Sequence, residues 1–187
     1  MADLKISKTS IPGLLVIDIP VHGDNRGWLK ENWQRSKMIQ LGLPDFNPVQ
    51  NNVLFNKDRG VTRGIHAEPW DKYITISYGK VFAAIVDLRP GDNFGVIETF
   101  ELGVDKAIFV PRGCGNSFQT LEENTVYSYF PNAHWSPDAD YTFVNLADRE
   151  LNIKWPIALD KVELSEKDKN HPTLAELRRQ LEQKSNN

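Results

Sequence analysis

Apolar and polar residues alternate in short runs along most of the chain, and Gly, Pro, Asn or Asp closes each run. Successive side chains of an extended strand point to opposite faces, so this period of two marks strands with one face in a core. Residues 14–19, 49–55, 73–77, 80–88, 95–102, 106–110, 125–130 and 141–145 fit the pattern and are predicted as β-strands. The separators Pro90-Gly-Asp-Asn93, Pro111-Arg-Gly113 and Ser136-Pro-Asp138 have turn chemistry rather than linker character. Helix signals are confined to the two ends. Ser36 is placed to cap a helix over 36–41, and Thr173, just after Pro172, to cap another that runs to about Gln183. Residues 184–187 are expected to fray. Strands at this spacing, without long helices between them, predict an all-β sandwich or barrel with short N-terminal and C-terminal helices. No repeat, low-complexity tract or linker divides the sequence, so residues 1–187 read as one domain.

Composition narrows the function classes. The 187 residues are 40% hydrophobic and 25% charged, ample for an apolar core. A net charge of -3 supplies no basic field for a nucleic-acid backbone or an anionic membrane, so neither is an expected partner. A local cluster of Arg or Lys still suits a small phosphate ligand. Cys114 is the only cysteine, which rules out an intrachain disulfide and fits a reducing cytoplasm. The N-terminus lacks the basic start and unbroken apolar run of a signal peptide, and no segment reaches the ~20 apolar residues of a spanning helix. A cytoplasmic location is expected.

The densest polar group is Gly60-Val-Thr-Arg-Gly-Ile-His-Ala-Glu-Pro-Trp-Asp-Lys72, which sets Arg63, His66, Glu68, Asp71 and Lys72 ahead of an apolar strand. An isolated histidine is most often structural, but charged neighbours of this kind cluster at functional sites. On a regular strand starting near Val61, Arg63 shares a face with Ile65 and His66 points the other way unless a bulge intervenes. A second group, Phe109-Val-Pro-Arg-Gly-Cys-Gly-Asn-Ser-Phe118, has glycines for a tight hairpin that brings Asn116 towards a barrel interior. Cys114 within it reads as a small turn residue rather than a nucleophile. Gln50 and Asn52, two positions apart, share a strand face on which paired amides can read a base or a sugar. An exposed turn carries Arg26, Lys30 and Glu31 and has anion-binding character, and His134 stands beside Trp135 at a strand end.

The first two groups resemble the two halves of the cupin pattern: Gly60, five residues and His66, then Pro111-x-Gly113-x-x-Asn116. Asn116 stands where that pattern has a ligand histidine, and Glu68 where cupins usually place another. The chain has only His22, His66, His134 and His171, with no His-x-His pair. A typical metallocupin centre wants two or more imidazoles, so no metal is expected, and no other cofactor.

Over roughly residues 11–177 the chain resembles the dTDP-4-dehydrorhamnose 3,5-epimerase family. The matching elements run in order: Asp24-Asn-Arg26-Gly27 with Glu31, Gln50-Asn-Asn52, Arg63-Gly-Ile-His66, Val86-Asp-Leu-Arg89, Val110-Pro-x-Gly113, Ile153-Lys-Trp-Pro156 and Leu164-Ser-Glu-Lys-Asp168. The resemblance implies a metal-free cupin jelly roll, a homodimer, and a thymidine-diphosphate-linked 4-keto-6-deoxy sugar as substrate. It implies His66 as the base, Asp168 as its orienting carboxylate and Lys72 as the group that stabilises an enolate oxygen. Arg26, Glu31, Gln50, Asn52 and Arg63 correspond to nucleotide-diphosphate contacts; Asn116, a departure where a histidine is usual, and Trp135 are further substrate-binding candidates. The chemistry agrees. Imidazole titrates near neutrality and suits proton abstraction, and a carboxylate on its other nitrogen fixes the tautomer. One departure stands out: His134 occupies the slot where the family has the tyrosine that reprotonates the enolate. A phenol and an imidazole differ in reach and in protonation. The sequence therefore leaves three readings open: a double epimerase, a single-centre epimerase or ketoisomerase on a related dTDP-keto sugar, and a non-catalytic carbohydrate-binding cupin.

Overall fold

The computed structural model describes residues 3–185. Thirteen strands are laid down among the described residues: β1 (Lys5–Lys8), β2 (Leu15–Asp18), β3 (Val21–Asp24), β4 (Gly27–Lys30), β5 (Asn52–Asn56), β6 (Thr62–Ala67), β7 (Lys72–Tyr78), β8 (Val81–Asp87), β9 (Ile97–Leu102), β10 (Lys106–Val110), β11 (Cys114–Thr120), β12 (Thr125–Pro131) and β13 (Thr142–Phe143). Three α-helices join them, α1 (Arg35–Gln40), α2 (Glu166–Lys169) and α3 (Leu174–Ser185), with one 3-10 turn at Leu159–Lys161. Every strand pair is antiparallel. One sheet has the order β1-β2-β10-β7-β12-β5 and faces a second of order β13-β6-β11-β8-β9, while β3 and β4 form a separate hairpin. This is a cupin-like jelly roll, as the alternation and the resemblance led one to expect.

The period of two decides what each strand gives to the space between the sheets. On β7, Ile74 and Ile76 point inward with Lys72, while Tyr73 faces outward and packs with Met38, Phe46 and Phe109 beneath α1. On β12, Tyr127 and Tyr129 point inward, and on β11 Asn116 and Phe118 do so. Aliphatic side chains such as Ile74, Ile76, Val81, Ile85, Leu102 and Ile108 fill one end of the interior. The other end collects the polar residues. The outer face of the second sheet is covered by α3, whose Leu174 and Leu177 pack on Ile65, Val86 and Leu88.

Strand β6 breaks the alternation. His66 pairs with Asn116 and Arg63 with Phe118, so three steps on β6 oppose two on β11. The extra residue is a bulge, and it turns Arg63 and His66 to the same face while Ile65 goes into the core beside α3. Gly64 sits there at φ 122°, and a Cβ on it would lie 2.5 Å from that of Ser117, so no other residue fits without displacement.

Several predicted boundaries shift. Gln34, not Ser36, caps α1: its Oε1 accepts from the Lys37 amide at 2.7 Å and from the Ser36 hydroxyl at 2.9 Å, because its longer side chain folds back over the first turn. The hairpin predicted across Gly113 is a corner, since β10 and β11 belong to different sheets. Strand 141–145 shrinks to Thr142–Phe143, and β5 begins only at Asn52. Thr173 accepts from the Glu176 amide at 3.2 Å while Glu176 reaches back to the Thr173 amide at 2.8 Å, a capping box. The helix it opens runs to Ser185, so of the residues expected to fray, Asn186 and Asn187 lie outside the described residues. Among the described residues no helix is long and apolar enough to cross a membrane.

Candidate active site

The polar end of the jelly roll holds two adjoining cavities. The inner one, about 160 Å³, is lined by Arg63, His66, Glu68, Lys72, Asn116, Phe118, Tyr127 and Tyr129. The outer one, about 490 Å³, is lined by Gln50, Asn52, Trp70, Trp135, Tyr141, Phe143 and Lys167, together with His66, Glu68 and Tyr129. Those last three line both and mark where the cavities meet.

His66 is fixed from behind. Its Nε2 meets Asp168 Oδ1 at 2.8 Å, and since a carboxylate only accepts, Nε2 carries a proton, so that in the neutral ring Nδ1 is the nitrogen with the free lone pair. The His66 side chain stays 35% exposed while that of Asp168 is buried. Asp168 lies on the single turn of α2, whose cap, Ser165, accepts from the Asp168 amide at 3.1 Å. Burial works to raise the Asp168 carboxyl. Hydrogen bonding and charge at His66, with the Ser165 hydroxyl and His171, outweigh burial and hold it below the ordinary carboxylate value. Phe143 packs edge-on to the His66 ring at 5.4 Å between centroids.

Across the inner cavity, Lys72 is fully enclosed and its Nζ donates to Glu68 Oε2 and Asn116 Oδ1. Glu68 and Asn116 are the residues that stand at the cupin ligand positions, so an ammonium group sits among them. The Asn116 amide also lies 3.5 Å from the Tyr127 hydroxyl. Tyr129 borders the same space. Burial and the Glu68 carboxylate raise its phenol, opposed by a hydrogen bond with Asn52, which leaves it a proton carrier at neutral pH.

The outer cavity has the features of a ligand-reading surface. Gln50 Nε2 donates to Asn52 Oδ1 at 2.8 Å, and the Trp135 amide donates to Gln50 Oε1 at 3.4 Å. Trp135 is 62% exposed, an aromatic plate at the rim. Arg63 donates to Asn56 Oδ1 at 3.2 Å and leaves its guanidinium end at the inner cavity.

The sequence profile of the dTDP-4-dehydrorhamnose 3,5-epimerase family matches residues 8–176. The chain belongs to this family, whose members are isomerases acting on carbohydrates. A Streptococcus pyogenes protein described as an RmlC homolog is 50% identical over 175 residues, 90% of this chain and 88% of the relative. The structure of RmlC from Streptococcus suis in complex with dTDP-D-xylose superposes with a TM-score of 0.90 at 47% identity, covering 94% of each chain. A dTDP-4-dehydro-6-deoxyglucose 3-epimerase of a Streptomyces species is 32% identical over 173 residues, 89% of this chain and 87% of that one. The epimerase relatives thus include one named for a single centre.

Against this family background the placement of the expected residues is uneven. His66, Lys72, Arg63 and Asn116 line the inner cavity, Asp168 touches it through His66, and Gln50, Asn52 and Trp135 line the outer one. His134 lines neither and is exposed, because the chain leaves β12 at Pro131 and turns its side chain to solvent. Arg26 and Glu31 also stay outside. Arg26 is tied to Asp24 at 2.5 Å on the exposed β3–β4 hairpin, and Glu31 to Lys37 at 2.5 Å. Cys114 is buried beside Asp87, and burial pushes its thiol up to about 12, so it is no nucleophile. Tyr129 is among the cavity-lining residues that the sequence reading passed over, together with Tyr127, Tyr141, Phe143 and Lys167. The signal was present: Tyr127 and Tyr129, two apart on a strand, must share a face.

Proposed function

We propose that the protein epimerises a thymidine-diphosphate-linked 4-keto-6-deoxy sugar at the carbons flanking the ketone, with His66 Nδ1 as the base. The observation that carries this is the His66–Asp168 pair, which presents a free imidazole lone pair to a cavity whose far side holds the enclosed Lys72 ammonium. A ketone acidifies the protons on both neighbouring carbons. His66 removes one, the electron pair moves to the ketone oxygen, and Lys72 stabilises the enolate that forms. Asp168 stabilises the resulting imidazolium and holds the ring in one tautomer.

Reprotonation from the opposite face needs a second group, and Tyr129 fits it better than the exposed His134. It borders both cavities, and its raised phenol keeps its proton until a basic enolate carbon arrives. The amides of Gln50 and Asn52 and the Trp135 ring suit a nucleotide base, and Arg63 a phosphate. We further propose a homodimer in the cytoplasm. Val53 and Phe55 on edge strand β5 and Tyr78 on β7 are each more than half exposed, an apolar area that a second copy would cover. A second copy would also give the β3–β4 hairpins, with Arg26 and the exposed Trp28, a cavity to reach. Light scattering reports the mass directly, and Phe55→Glu should return a monomer.

The deciding experiment follows dTDP-4-keto-6-deoxyglucose in D₂O by NMR. Deuterium at both carbons beside the ketone supports the double epimerase, and deuterium at one supports the single-centre reading. Binding without exchange overturns the enzyme.

A further inference from the structure

Asp168 Oδ1 is met by two imidazoles. Besides His66, His171 brings its Nε2 to the same oxygen at 3.2 Å. Unlike His66, the His171 side chain is only 6% exposed and lines neither cavity, so it touches no substrate. Its ring is held flat against Phe143, centroids 4.6 Å apart and planes within 10°, and Phe143 in turn pairs with His66 across β13 and β6. Its carbonyl accepts from Asn145 Nδ2 at 3.2 Å, which pins the segment after α2.

We propose that His171 is a positioning residue for the base: its Nε2–H is the second donor on Asp168 Oδ1, fixes that carboxylate where it meets His66, and takes up part of its charge. The proposal rests on reading His66 as the base. The charged and titratable groups facing the ring are Asp168 and Lys167 from α2 and His66 from β6. Burial, then the neighbouring His66, then Lys167 disfavour a charge on His171, against the opposing pull of Asp168, and the net effect is downward. The ring is therefore neutral at pH 7, and because a carboxylate cannot donate, its single proton is on Nε2. A neutral donor steadies the carboxylate without setting a competing cation 5.5 Å from the His66 ring. Deleting it leaves the carboxylate's charge to His66 alone, which favours the protonated, inactive form of the base.

The test uses His171→Phe, which keeps the stack on Phe143 and removes the donor, and His171→Gln, which restores an N–H. For His171→Phe, kcat should fall about tenfold or more with KM unchanged. The acid limb of kcat/KM should move up by about half a pH unit. His171→Gln should recover most of both. A limb and kcat that match the parent protein, in a variant shown folded by its melting curve, would overturn the proposal. Nitrogen-15 NMR of histidine-labelled parent protein needs no variant: it should show His171 neutral with the proton on Nε2 at pH 7 and above. A charged ring, or the proton on Nδ1, refutes it. If instead His66→Asn keeps its activity, the assignment of the base fails, whatever His171 does.

Discussion

Two polar clusters face each other across the inner cavity, and they are built on opposite principles. The His66–Asp168–His171 cluster spans the chain, joining β6 to a segment 102 residues later, and its working ring remains a third exposed. The Lys72–Glu68–Asn116 cluster lies within the barrel strands and the turn between β6 and β7, and its ammonium is sealed off. The first is suited to a proton that comes and goes. The second is an ammonium group held in place by two hydrogen bonds. A reaction that makes and discharges an enolate needs one of each, and the fold assigns the movable charge to its edge and the permanent one to its interior.

The largest expected effect comes from breaking the fixed charge. Lys72→Met should cost more than about a thousandfold in kcat/KM. It should also cost about 3–5 kcal/mol in urea unfolding, because it strands the half-buried Glu68 carboxylate. Adding Glu68→Gln should restore the stability but not the activity. Breaking the movable charge should separate the two readouts the other way. His66→Asn should remove activity by at least about a hundredfold. Its stability loss should stay near 1–2 kcal/mol, since the ring is partly in water.

Tyr129→Phe tests the far face. Solvent exchange at the substrate should continue while inverted product falls about tenfold or more, and the ratio of the two by NMR measures it. His134→Ala should change that ratio by less than about twofold, as befits an exposed side chain.

The smallest effect is a pH dependence. Asp168 titrates below its ordinary value in the fold, so the unfolded chain binds its proton first as pH falls. The stability it contributes is complete above pH ~4 and is lost as pH drops through the folded-state value. The gap between the parent protein and Asp168→Asn in denaturant should therefore close as pH falls below ~4.

The same contrast explains what could be read without coordinates. The interior cluster was largely legible, because period-two alternation places Lys72 with Ile74 and Ile76, and Asn116 with Phe118. The edge cluster was not. No periodicity relates His66 to Asp168; only the family resemblance did, and His171 went unremarked because its partner lies three residues away on an unpredicted turn. Alternation alone set His66 opposite Arg63, and only the register between β6 and β11 reveals the extra residue. His134 occupied the right slot in a motif, yet the chain has already left the barrel there. Arg26 sits at the tip of an exposed hairpin and Glu31 just beyond it, paired with Lys37.

The bulge at Gly64 makes the site depend on counting as well as on identity. Between Arg63 and His66 the strand carries one residue more than its partner, and that odd number is what puts both side chains into the cup. Deleting one residue there would leave every functional side chain in the sequence and reverse the parity of the strand on one side of the cut. Either His66 would face the helix and Ile65 the substrate, or Arg63 would be lost from the cavity. A change of one residue in the length of that segment is thus a change of chemistry, whichever side chains are kept.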